Sequence, residues 1–144
     1  MPVRYSINPE LGIVFIFCEG VVSDVYFFKV MKNMYAEKSY RPEMHRLVEF
    51  FSASEDFSSL DEIRSNIKHR DKITNDNVQF GRTIVLTYSE SMTLFMNALE
   101  IDSKINYSAA TSLDEAITLL GFQDKKQEVI NFYNQSKDQT EQVN

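Results

Sequence analysis

Hydrophobic residues along the chain fall into short unbroken runs, separated by helix-length stretches in which apolar positions recur three and four residues apart. The central run holds Leu47, Val48, Phe50 and Phe51, entered from Arg46 and interrupted only by Glu49. An apolar run of that length between two helical patterns predicts a strand buried on both faces, as in a parallel sheet covered by helices. Val3, Tyr5 and Ile7 alternate with polar neighbours, Asn8-Pro9-Glu10-Leu11-Gly12 supplies turn residues, and the stretch from Ile13 to Cys18 is apolar throughout. This is the pattern of a β-hairpin with an edge strand wet on one face and an inner second strand. Gly20 is expected to end that second strand. Residues 82–87 give another buried-type strand, and residues 106–110 a shorter one.

The helices are marked by their caps. Ser23 and Asp24 open a helix reaching to about Lys38, with Phe27, Val30, Met31 and Met34 on one face. Tyr26, Phe28 and Tyr35 widen that face beyond a single stripe. So wide a face suits either a deeply packed helix or one that also meets a second chain, which makes these three aromatics the candidates for self-association. The helical pattern breaks at Tyr40-Arg41-Pro42, because the residue before proline disfavours the α region. Ser59-Leu60-Asp61-Glu62 and Ser112-Leu113-Asp114-Glu115 both have capping-box spacing. The first opens a half-exposed helix striped by Leu60, Ile63 and Ile67 and followed by a loop at residues 74–77; the second opens a short helix stopping at Gly121. Between them, Ser89-Glu90-Ser91 precedes a helix carrying Phe95, Ala98 and Leu99. Strand and helix therefore alternate, which predicts an α/β domain of repeated βα units. Beyond Phe122 the chain turns polar. Val129, Ile130, Phe132 and Tyr133 allow one more short amphipathic helix, while residues 135–144 have almost nothing to bury and are expected to be disordered. The organisation expected is one α/β domain over residues 1–121, then a short helix and polar tail over residues 122–144.

Composition changes this picture little but excludes several functions. A chain of 144 residues that is 43% hydrophobic suffices for one domain with a real core. A net charge of −6 repels phosphate backbones, and no basic patch offsets it, so nucleic acid is not an expected partner. The single cysteine, Cys18, has no internal disulfide partner and suits a reducing compartment. No stretch approaches the roughly 20 apolar residues of a membrane span, and the start of the chain shows no basic segment leading into a long apolar one. A cytoplasmic location is expected.

Catalysis needs positioned groups, and the inventory is poor. His45 and His69 are far apart and fit ordinary surface roles, and Cys18 lacks a local base and reads as a small buried hydrophobe. No metal-ligand spacing, catalytic set or cofactor motif is present, and four glycines leave little room for a phosphate loop. Lys29 with Lys32, and Lys125 with Lys126, most simply solubilise helix faces. The oddity is Glu49. A carboxylate between Val48 and Phe50 either faces solvent or is held by a hidden donor, a nearby Arg or Lys being the simplest.

Taken in order and spacing, three stretches carry a family resemblance. They are Val3-Arg4-Tyr5 with Asn8-Pro9-Glu10-Leu11-Gly12, then Tyr40-Arg41-Pro42-Glu43-Met44, then Ser112-Leu113-Asp114-Glu115-Ala116. Over residues 2–121 the chain resembles the bacterial STAS-like (SpoIIAA-like) family related to the anti-sigma factor antagonists, in the branch also likened to CRAL-TRIO lipid-binding domains. The resemblance implies a single-domain fold, an N-terminal β-hairpin followed by repeated βα units, with a mostly parallel sheet of about four or five strands covered by helices. It also implies functions that are mostly non-enzymatic, with phosphorylation-controlled partner exchange in the antagonists. Those proteins place an Asp-Ser-Ser-Gly-like motif after the central strand, with the switch serine at a helix N-terminus. Here Asp56-Phe57-Ser58-Ser59-Leu60 follows a longer loop and contains no glycine, so the switch does not carry over directly; Ser58 and Ser59 stand nearest to it.

Two function classes follow. The first is a regulatory or scaffolding protein-interaction module. In open α/β sheets the carboxyl ends of parallel strands and the following helix N-termini share one edge, where binding is expected. Residues 52–58 are expected to form a loop there, and Ser52, Ser54, Glu55, Asp56, Ser58, Ser59, Ser89 and Ser91 are the candidates for partner contact or phosphorylation. The acids along that edge disfavour a phosphate ligand and suit a basic patch on a partner. The second class is a binder of a small apolar ligand or lipid, suggested by six methionines and eleven phenylalanines. A preformed cavity lined by Phe and Met would favour the second class, and a solid core with an exposed patch the first.

Overall fold

Strands β1 (Val3–Asn8), β2 (Ile13–Ser23), β3 (His45–Asp56), β4 (Thr83–Leu86) and β5 (Tyr107–Ala110) lie side by side in that order in one sheet. The computed structural model describes residues 2–57, 62, 63, 65, 81–103 and 107–142. β1 runs antiparallel to β2 as the expected hairpin, and every later pairing is parallel. Helices α1 (Asp24–Tyr35), α2 (Glu90–Ser103), α3 (Leu113–Leu120) and α4 (Lys126–Gln142) cover the sheet. This is the α/β architecture that the strand and helix alternation predicts.

The apolar run of β2 is explained by burial on both faces. Val14, Ile16 and Cys18 enter one core with Met31 and Met34 of α1 and Met92 and Met96 of α2. Ile13, Phe15 and Phe17 enter the other, with Ala116 and Ile117 of α3 and Val129 of α4. The helix starts are capped as the sequence predicts. The Ser23 hydroxyl accepts from the Tyr26 amide at 3.1 Å, and Ser112 accepts from the Glu115 amide at 3.1 Å. Glu115 reaches back to the amide of Thr111 at 3.0 Å, one residue before the position of the usual box. Gly121, at φ 74°, closes α3 in the left-handed conformation.

Four expectations are corrected. β2 does not end at Gly20, which continues the strand at φ 68°, and the residues after Phe51 are not a loop. Instead Glu19, Gly20, Val21, Val22 and Ser23 pair in register with Ser52, Ala53, Ser54, Glu55 and Asp56, after a register shift between Phe17 and Glu19. A two-stranded ribbon pairs its backbone along the shared side, leaves its outer edges to solvent and buries only one face, so its other face tolerates a serine- and acid-rich sequence. α1 stops at Tyr35 rather than near Lys38. Finally, α4 runs through Gln142, past the expected end of order near Gln135, with Ser136 buried. Of the predicted helix after β3, Glu62, Ile63 and Ser65 are helical; the rest of its cap and stripe, the loop at 74–77, His69, Ser58 and Ser59 lie outside the described residues.

Candidate functional site

The ribbon of β2 and β3 runs past its neighbours. β1 pairs with β2 no further than Cys18, and β4 pairs with β3 no further than Glu49. Along one face of the extension Glu19, Val21, Ser52, Ser54 and Asp56 are exposed, and on the other Val22 is buried in the core. Val21 is 69% exposed, and Val25, in the first turn of α1, is 70% exposed at the same end. Beside them Tyr88, 74% exposed, stacks on Phe51 with ring centres 4.5 Å apart. The exposed side chains here are therefore apolar or aromatic anchors set among serines and carboxylates.

Of the predicted site residues, the fold brings Glu55, Ser89 and Ser91 together. Ser91 donates to the Glu55 carboxylate at 2.9 Å, and the two serine hydroxyls lie 2.9 Å apart. Ser89 also accepts from the Met92 amide at 3.2 Å, so it caps α2. Glu55 thereby fastens the ribbon to the start of α2. Ser52, Ser54 and Asp56 stand apart from that network, on the exposed face of the ribbon. Tyr26, Phe28 and Tyr35 are half-buried against the core of their own chain, with Phe28 edge-on to Phe27 and Tyr35 against Tyr40. The breadth of the first helix is thus used within the chain.

Glu49 has a hidden donor, and it comes from α4. The carboxylate, on a residue only 6% exposed, accepts from the Tyr133 hydroxyl and lies 3.3 Å from the Lys137 ammonium. Lys137 also donates to the Tyr133 oxygen at 3.1 Å, one helical turn away. Burial, and then the hydrogen bond to Glu49, push the Tyr133 phenol above its ordinary pKa. Lys137 is held protonated chiefly by its hydrogen bond to Tyr133. Both groups are held in the forms that satisfy Glu49, and the trio tethers α4 to the central strand.

Two further polar residues serve architecture. Arg46, 2% exposed, donates to Thr83 at 2.8 Å, to the Tyr40 hydroxyl at 2.9 Å and to the Gly81 carbonyl at 3.0 Å, joining β3 to β4. The His45 Nδ1 accepts from the Arg82 amide at 2.9 Å, and its ring meets Phe122. Cys18 is buried, and its thiol is pushed up to about 12 by desolvation and then by Glu49. Among the described residues no three His, Cys, Asp or Glu side chains group as metal ligands would, and no helix is long and apolar enough to cross a membrane.

On the opposite face of the sheet from α4, an apolar cavity of about 70 Å³, partly open to solvent, lies between the strands and helices α1 and α2. Its walls include Phe27, Phe28, Phe50, Phe57 and Phe95, with Met92 and Met96. Sequence reasoning anticipated the residue types without locating the cavity. The signal missed was the alternation of Val48 and Phe50 along β3, which sends both into one layer.

No protein-family model matches the sequence, and no curated protein is similar to it. Among solved structures, the chain is similar to an uncharacterised protein of the DUF3478 family, with a SpoIIAA-like fold, from Shewanella loihica PV-4. The two share 9% identity and superpose with a TM-score of 0.53, over 82% of this chain and 91% of that one. The hairpin, the parallel strands and the covering helices described above are accordingly those of a SpoIIAA-like α/β fold.

Proposed function

We propose that the chain is a regulatory or scaffolding interaction module of the STAS-like type, without catalytic activity, acting in the cytoplasm, and that its contact surface is the exposed face of the β2–β3 ribbon. The observation that carries this reading is the ribbon itself. Val21 and Tyr88 are large apolar side chains left in water beside the carboxylates of Glu19 and Asp56, at the strand-end edge where open α/β sheets bind. An aromatic anchor within a polar rim is the composition of a protein contact. Glu19 is already paired with Arg4 at 3.4 Å, and the exposed carboxylate of Asp56 favours a partner presenting lysine or arginine. Ser52 and Ser54 are accessible there to a modifying enzyme, and phosphate on either would add negative charge to the same face.

A lipid carrier is less well supported. The cavity has the phenylalanine and methionine walls that such a reading expects, but about 70 Å³ is far below the roughly 300–1,000 Å³ of pockets that enclose a drug-sized ligand.

A pull-down from extract of the native host tests the interaction reading. The double substitution Val21→Lys with Ser54→Lys should abolish recovery of a partner captured by the unmodified chain, with the melting curve unchanged. Lys125→Glu, far along the chain on the exposed turn before α4, should not. Equal recovery with all three would place the contact elsewhere.

A further inference from the structure

Protein interiors are packed like molecular crystals, and voids larger than a water molecule are few. A cavity of about 70 Å³ is several times the minimum that holds one water, and about half the roughly 150 Å³ of an engineered apolar cavity known to stay dry and accept benzene or xenon. Water retained there would need several polar partners. Among the described residues, the polar ones at the wall are Asp24, Thr83 and Tyr107. Asp24 and Tyr107 are engaged in interactions of their own, and Thr83 already accepts from Arg46 at 2.8 Å. Among the described residues, the rest of the lining is phenylalanine, methionine, valine and isoleucine, which offers water nothing.

From this geometry we propose that the cavity between the sheet, α1 and α2 is a binding site for a small, compact, neutral apolar molecule, separate from the ribbon surface. The cavity is partly open to solvent, so its volume limits what it can enclose, and most of a long acyl chain would be left in water. Asp24 in the wall sets the charge, because a carboxylate headgroup placed beside it would be repelled. Five phenylalanine rings form stiff walls, while Met92 and Met96 are unbranched side chains able to adjust to the shape of an occupant.

Xenon titration of the intact chain, read by the methyl resonances of its methionines, tests the assignment. Met92 and Met96 line the cavity, whereas Met31, Met34 and Met44 belong to the same core without lining it. Saturable shifts confined to Met92 and Met96 are expected. Palmitate should leave those resonances unmoved, and the substitution Val85→Ile, which adds one methyl group at the wall, should weaken or abolish the saturation. Absence of saturable shifts, equal shifts at Met31, Met34, Met44, Met92 and Met96, or unchanged saturation in the Val85→Ile variant would overturn the proposal. Displacement of xenon by palmitate would overturn the size and charge limits. None of these outcomes bears on the ribbon, which Val85 does not join.

Discussion

The hydroxyl of Tyr133 donates to the carboxylate of Glu49, 84 residues earlier in the chain. That bond ties the last helix to the central strand, at a point where the sheet would otherwise bury an unsatisfied charge. Lys137 remains beside the carboxylate in Tyr133→Phe, which should cost about 1–3 kcal/mol, the usual worth of a hydrogen bond to a buried carboxylate. A melting temperature lower by about 3–10 °C would register it in a domain of this size. Lys137→Met should cost less, about 0.2–1 kcal/mol, because the lysine side chain is 46% exposed and solvent screens its pairing. Equal losses from the two substitutions would contradict this ranking.

Deleting everything after Gln135 offers a second check on the same tether. Judged by apolar content alone, those residues contribute nothing to the fold. In the structure they include the buried Ser136 and the Lys137 that pairs with Glu49, within a helix continuing to Gln142. The truncated chain should fold but melt earlier, by on the order of 2–8 °C. An unchanged melting temperature would mean that the last turns of α4 add nothing.

These contacts show where the sequence could be read and where it could not. The hairpin, the parallel strands around Arg46 and Ile84, and the caps at Ser23 and Ser112 were legible because each rests on neighbours within a few residues. The ribbon was not. Ser52 and Ser54 look like loop residues because one face of a projecting ribbon has no core to meet, and only the pairing with Val21 and its neighbours makes them a strand. Nor was the donor to Glu49, since α4 is mostly polar and nothing local to Glu49 points to it. The spacing of Tyr133 and Lys137, four residues apart and on one helix face, was the available signal.

His45 gives a pH dependence on the acid side. Its pKa is lowered, first by burial and then by the nearby Arg46 and Arg82, so the ring that accepts from the Arg82 amide is neutral. A depressed folded value means that the unfolded chain takes up the proton more readily. The stabilisation is therefore complete above about pH 6.5 and is lost as the pH falls toward the folded value. Urea midpoints should fall between pH 7 and pH 5. The slope should be shallower in His45→Asn, which keeps an acceptor but does not titrate.

Cys18 gives the opposite sign on the alkaline side. Its folded value of about 12 lies above the ordinary thiol value of 9.0, because burial and Glu49 both resist the thiolate. Its contribution is complete below pH 9.0 and declines as the pH rises toward about 12, since only the unfolded chain ionises there. Urea midpoints measured from pH 8 upward should decline less steeply in Cys18→Ala than in the unmodified chain. A disulfide reagent at pH 8 should leave the native thiol untouched and titrate it fully once the chain is unfolded. Rapid reaction of the native protein would contradict the burial of this side chain.

The proposed contact surface is tested most directly by photo-crosslinking in extract of the native host, with a photoreactive residue placed in turn at Ser54, Tyr88 and Asn131. The first two lie at the ribbon, and the third is exposed on α4. The ribbon account predicts that Ser54 and Tyr88 capture the same protein, that excess unlabelled chain competes it away, and that Asn131 does not capture it. Capture from Asn131 with none from Ser54 or Tyr88 would contradict it.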